Sequence, residues 1–232
     1  MASAGDEGFD RSAAVTRSLL GWGVVAGVFY LVVGVAQGIL RDGFSFADHA
    51  LSLLMLGDYG WIQAGNLVLT GAMVLAAALG FQRAMKPDVR ASRAGVLLGI
   101  FAIGLIGSGI FPPDPVDGFP DANSTSEATF VGILHLAFAG VGFMALAAAA
   151  FVVAGWPRAG MVAGVPGRLT GGAILVCFVA GAALATTTVG VILLWIAVVV
   201  GWAWLAAASV VVYRIVPHPD LHVREAAGAR GE

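Results

Sequence analysis

Carboxylates and an imidazole crowd one stretch of an otherwise apolar chain, residues 111–135, FPPDPVDGFPDANSTSEATFVGILH. Asp114, Asp117, Asp121 and Glu127 precede His135, which lies inside the apolar run that follows. A second polar group, Asp48, His49 and Ser52, interrupts residues 41–60, and Gln63, Asn66 and Thr70 follow at i, i+3 and i+7, a spacing that puts them on one face of a helix. Three kinds of chemistry are open to this set. Its hydrogen-bonding groups suit a small polar molecule or a lipid headgroup. His49 and His135 with Asp48, Asp114 and Asp117 are enough N and O ligands for zinc, yet no H-x3-H or H-E-x-x-H spacing organises them. Ser52 with His49 or His135 has the residue types of a serine hydrolase, although i, i+3 proximity arises readily by chance. Each residue also has a plainer use. His135 and Asn66 bonded to each other would fix a helix bundle, Asp58 and Glu127 suit helix caps, Asp121 suits a solvated loop, and Asp114 and Asp117 suit turns.

The elements that must position these groups belong to a membrane protein. Hydrophobic residues make up 59% of the 232 and charged residues 11%, against about a quarter charged in soluble domains. At roughly 20 residues per span, the chain has room for a handful of spans and no separate soluble domain. The single cysteine, Cys177, has no partner for an intramolecular disulfide. Heavy use of Ala, Gly and Val fits a GC-rich bacterial genome.

The pattern predicts an all-α, six-helix integral membrane bundle, with spans at about 18–40, 61–82, 95–111, 128–154, 169–185 and 191–213. Residues 1–17 and 214–232 read as polar tails, the latter holding His218 and His222. The segment 41–60 is short for a span and suits a re-entrant or interfacial piece. Gly23, Gly27, Gly34 and Gly38 fall within about 60° of one another on the first helix, a smooth stripe for close helix approach, within the bundle or in an oligomer. The third span should stop at Pro112-Pro113. Ser124-x-x-Glu127 has the spacing of a capping box, so the fourth helix is expected to start near Thr125. That start would put His135 about 15 Å along its axis, where an ionisable group marks a functional site. Asn66, Gln63, Ser108 and Gln37 are its expected neighbours.

Of the 12 Lys and Arg, all but Arg41 fall in the two tails, the 2–3 loop and the 4–5 loop, a positive-inside pattern with both termini cytoplasmic. Asp42, Asp48, Asp58, Asp114, Asp117, Asp121 and Glu127 then face outward. The spans as bounded hold no Lys, Arg, Asp or Glu, which argues against a carboxylate proton relay. There is no Gly-rich phosphate loop, dinucleotide fingerprint or G-x-S-x-G elbow, Gly107-Ser108-Gly109 being ordinary helix packing. No cofactor, resident metal or nucleic-acid partner is expected.

His49-Ala-Leu-Ser52, then Gly57-Asp-Tyr-Gly-Trp61-Ile-Gln63 with Asn66 and Gly71, then Ile110-Phe111-Pro112 with Asp114-Pro115, and finally Gly132-x-x-His135 resemble the polytopic membrane proteins grouped as domain-of-unknown-function family 998. The resemblance spans about residues 18–213. It implies a six-helix bundle in a bacterial or archaeal membrane and carries no activity, substrate or catalytic residue.

The functional expectation is an outward-facing polar pocket in a bacterial plasma membrane protein. Its binding residues would be His135, Asn66, His49, Asp114, Asp48, Gln63 and Ser52, and its ligand a small polar molecule or lipid headgroup, in a transport or accessory role. A membrane-embedded, metal-dependent lipid hydrolase is the alternative, and a packing or partner protein without ligand the second. The inner halves of the spans are nearly free of polar groups, which favours binding over a channel.

Overall fold

A computed structural model describes residues 9–86 and 88–220. Asp6, Glu7, His222, Arg224 and Arg230 of the expected tails lie outside the described residues. Six helices make up the fold: α1 (Arg11–Leu40), α2 (Gly60–Met85), α3 (Val89–Ile110), α4 (Phe130–Ala154), α5 (Gly164–Ala183) and α6 (Thr188–Ile215). All six are long and apolar enough to cross a membrane. Their outward faces carry Val28, Leu40, Leu69, Ile103, Leu136, Val176 and Val199, all exposed, and helices apolar on every side are stable only where the solvent is lipid.

Consecutive helices pack side by side, and α6 closes the ring against α1. The core contains Leu20, Phe81, Leu98, Phe101, Leu146, Ile174 and Leu205, all buried. Small residues allow the tightest crossing: a Cβ on Gly104 of α3 would lie 2.7 Å from the Phe138 carbonyl oxygen and 2.8 Å from the Gly142 Cα of α4. The glycine stripe of α1 is used within the chain, with Gly23 and Gly27 against Ser209 and Trp202 of α6, and Gly34 and Gly38 against Leu51 and Phe46 of the following loop.

Several helices start earlier than the sequence suggests, each for a local reason. α1 begins at Arg11 because Asp10 caps it, accepting from the Ala13 N–H at 2.9 Å. Arg17 is therefore helical, and its guanidinium donates to the carbonyls of Tyr213 and Val216 at the end of α6, at 3.3 and 2.7 Å. Asp88 starts α3 at Val89 by accepting from Arg90 and Ala91. α5 starts at Gly164, ahead of Leu169. The longer helices thus take up Arg11, Arg17, Arg83, Arg90, Arg93, Arg168 and Arg214 near their ends, all outside the predicted span bounds. The two described ends of the chain meet at one face, where the Asp10 N–H donates to the Pro219 carbonyl at 2.9 Å.

Two expected caps are not used. Asp58 does not cap α2, whose N-cap is Tyr59 with no side-chain bond. The Ser124/Glu127 box does not open α4. Thr129 caps it instead, its hydroxyl accepting from the Gly132 N–H at 3.0 Å, because Asp114 reaches across the loop and holds Thr129 in place. The segment between α1 and α2 folds back into the end of the bundle as a 3-10 turn, Leu51–Met55, and buries Leu51, Leu53, Leu54 and Met55.

Candidate functional site

The site is built where α3 stops. The Ser108 carbonyl would ordinarily accept from the N–H four residues on, but that position is Pro112, which has none, and Phe111, the extended C-cap, lies beyond the helical ladder with its carbonyl free. His135 of α4 fills the gap, with Nδ1 3.0 Å from the Ser108 carbonyl oxygen and 2.8 Å from that of Phe111. Both partners are pure acceptors, so Nδ1 carries the proton. Ser108 returns a hydrogen bond from its hydroxyl to the His135 carbonyl at 3.3 Å. The ring is only 3% exposed, and its Nε2 has no hydrogen-bond partner among the described residues. Because α4 starts at Phe130, His135 lies roughly 8 Å along the axis, shallower than the 15 Å a start at Thr125 would give.

Two cavities meet at this histidine. The inner one is a small cavity of about 90 Å³, lined by aromatic and aliphatic groups that include Tyr30, Phe101, Phe143, Phe178, Trp195 and Trp202. Phe143 and Phe178 stack with centroids 4.5 Å apart, while Phe101 contacts both Phe143 and Trp202. The outer one, about 290 Å³, is lined partly by Asp114, Ser126 and Glu127. Ala50, Ser52, His135, Ala139, Phe178 and Leu194 line both, so they stand between the two, at the neck where the cavities approach each other. The Ser52 hydroxyl makes no hydrogen bond among the described residues. The Trp195 Nε1 is buried without an acceptor. No Lys or Arg among the described residues lines either cavity.

The loop before α2 closes over this end of the bundle. Asp48 accepts from the hydroxyls of Ser45 and of Thr188 at the start of α6, both at 2.8 Å. These two hydrogen bonds, helped by the neighbouring His49, hold its carboxyl below the usual range. His49 accepts at Nδ1 from the Ser45 N–H at 3.0 Å and packs on the ring of Phe119, 4.6 Å between centroids. Partial burial pushes the His49 pKa down, against the pull of Asp48. In the loop before α4, Asp114 accepts from the Thr129 hydroxyl at 2.5 Å and the Thr129 N–H at 3.1 Å, and Asp117 accepts from the Ser126 N–H at 2.9 Å.

Of the residues expected at the site, Ser52, Asp114 and His135 line a shared space, while Asp48 and His49 pin the loop above it. Asn66 and Gln63 line neither cavity. They lie buried between α2 and α1, where Asn66 Nδ2 donates to the Tyr30 carbonyl and to Gln63 Oε1, both at 3.1 Å, and Asn66 Oδ1 accepts from the Thr70 hydroxyl at 3.3 Å. Gln37 is also drawn elsewhere, its Nε2 donating to the carbonyls of Leu54 and Tyr59. The five residues considered for zinc are not gathered: no group of three or more His, Cys, Asp or Glu suited to a metal ion occurs among the described residues. The aromatic lining of the inner cavity was missed, because Phe143, Phe178, Trp195 and Trp202 read as ordinary span residues. Thr188 was missed as well, since nothing local marks it as a partner of Asp48.

The fold defines the class: an integral membrane protein built as a six-helix bundle. Within that class the chain belongs to the family described as "Protein of unknown function (DUF998)", whose profile matches residues 24–211. No curated protein and no solved structure matches it.

Proposed function

We propose that the protein binds a single amphipathic molecule of lipid type, with its polar group at the Ser52/His135 neck and part of its apolar chain in the inner cavity. The observation that carries this reading is the pair of adjacent cavities that share one buried histidine, lined by carboxylates on one side and by aromatic groups on the other. A purely polar ligand finds few partners in the inner cavity, and a purely apolar one leaves Ser52 and Nε2 unpaired, which costs free energy when buried. Concave sites lined by apolar groups with a few placed polar ones are the usual form of small-molecule sites.

The positive-inside asymmetry supports both termini in the cytoplasm, with the neck in the outer leaflet of a bacterial plasma membrane. A binding or accessory role fits better than a conduit.

Ala139 lines both cavities, so Ala139→Phe should plug the neck. Binding of a fluorescent single-chain amphipath to the protein in nanodiscs should weaken at least tenfold in this variant while its thermal unfolding stays close to wild type. Unchanged binding would place the ligand elsewhere and defeat the reading.

A further inference from the structure

We infer that the neck selects amphipaths whose polar group is an uncharged hydrogen-bond donor, a hydroxyl above all, against carboxylates. This inference rests on the proposed amphipath site and names its ligand class. Pro112 leaves the Ser108 carbonyl without its helical donor, the Phe111 carbonyl lies beyond the end of α3, and His135 commits its Nδ1 proton to both, at 3.0 and 2.8 Å. The neutral ring therefore has one tautomer, with Nε2 a bare acceptor. A ligand group that meets Nε2 must bring a proton. A hydroxyl brings one and keeps two lone pairs, one of which the unpaired Ser52 hydroxyl on the same cavity wall is chemically able to serve. An ionised carboxylate brings no proton, faces Nε2 lone pair against lone pair, and lies beside the Asp114- and Glu127-lined cavity with no Lys or Arg on either wall to balance it. An anionic phosphate headgroup is disfavoured on the same grounds.

The test uses a matched pair of probes, oleyl alcohol and oleate at pH 8.5, competing against a fluorescent amphipath on full-length protein in phosphatidylcholine nanodiscs. Wild type should bind the alcohol at least about tenfold more tightly than the acid, the size of one buried hydrogen bond with a charge penalty added. His135→Asn is the informative variant, because the Asn amide N–H can still serve the Ser108 and Phe111 carbonyls while the acceptor at Nε2 is deleted. Its preference should shrink to about threefold or less. Ser52→Ala, which removes no structural bond, should narrow the preference in the same direction and serves if His135→Asn does not purify. Equal or tighter binding of oleate, or a preference that survives these substitutions undiminished, overturns the inference while leaving an amphipath site standing. Failure of both probes to compete overturns the amphipath site and this inference with it.

Discussion

Asn66→Ala should weaken the fold and leave ligand selectivity alone. The buried amide makes three hydrogen bonds, two donated to the Tyr30 carbonyl and Gln63 Oε1 and one accepted from Thr70. Hydrogen bonds between membrane helices average roughly 0.6 kcal/mol each, so the loss is about 2 kcal/mol. The alanine also leaves Gln63 Oε1 without its donor, in a side chain that is 0% exposed and whose Nε2 already lacks a partner, which pushes the cost toward the upper end. A loss of that size lowers the folded-to-unfolded ratio about thirtyfold. Reversible unfolding in mixed micelles would read it, with the alcohol-to-acid preference measured on the folded fraction as the second readout. A variant as stable as wild type that no longer binds would refute the reasoning, because it would put Asn66 in the site and not in the α1–α2 seam.

Acid should loosen the loop over the neck. A folded-state pKa depressed below the ordinary 6.5 means that His49 contributes stability fully above about pH 6.5 and loses it as pH falls through the lower folded value. Asp48, lowered from 3.8, adds a loss in the same direction only below about pH 3.8. His49→Phe keeps a ring for Phe119 and should flatten the difference in melting temperature between pH 7.5 and pH 5; an unchanged pH dependence would count against this. Gly132→Ala should cost about 1 kcal/mol, the scale of a lost cap, because the new Cβ would meet the Asp114 carboxylate that holds Thr129. Combined with Asp114→Ala it should be no worse than either alone, and additive losses in detergent melts would argue that the two act separately. Gly104→Val should fail to assemble a stable bundle, since its side chain would overlap the Phe138 carbonyl of α4; normal yield and melting would contradict the crossing described.

The six helices were legible because each is a long apolar run, and a run of about 20 such residues has few other fates. Helix starts were less legible. Asp10 and Asp88 are good caps, but a hydropathy boundary falls after them, where the charges end. The capping box at Ser124 has the right spacing and the wrong context, because the Ser124 hydroxyl accepts from the Asp121 N–H within the loop while Asp114 holds Thr129 at the start of α4. At the site, His135 stood out as an imidazole within a span. One partner carbonyl was written in the sequence as Pro112, four residues after Ser108, but it and the Phe111 carbonyl become a histidine site only once α4 is known to pack on α3. Asn66 and Gln63 look as functional as His135 in a list of buried polar groups. Only the placement of Tyr30 across α1 distinguishes a seam from a pocket. Trp195 and Phe178 carry no signal of their own, since the aromatic wall exists only where α4, α5 and α6 converge.

The most direct measurement is the site of labelling by a diazirine-tailed oleyl alcohol analogue on the protein in nanodiscs, mapped by peptide mass spectrometry. An amphipath seated at the neck should label the inner cavity around Phe143, Phe178, Trp195 and Trp202, and excess unlabelled oleyl alcohol should abolish that label. Labelling confined to lipid-facing positions such as Leu69, Ile103 and Val199, indifferent to competitor, would contradict the account.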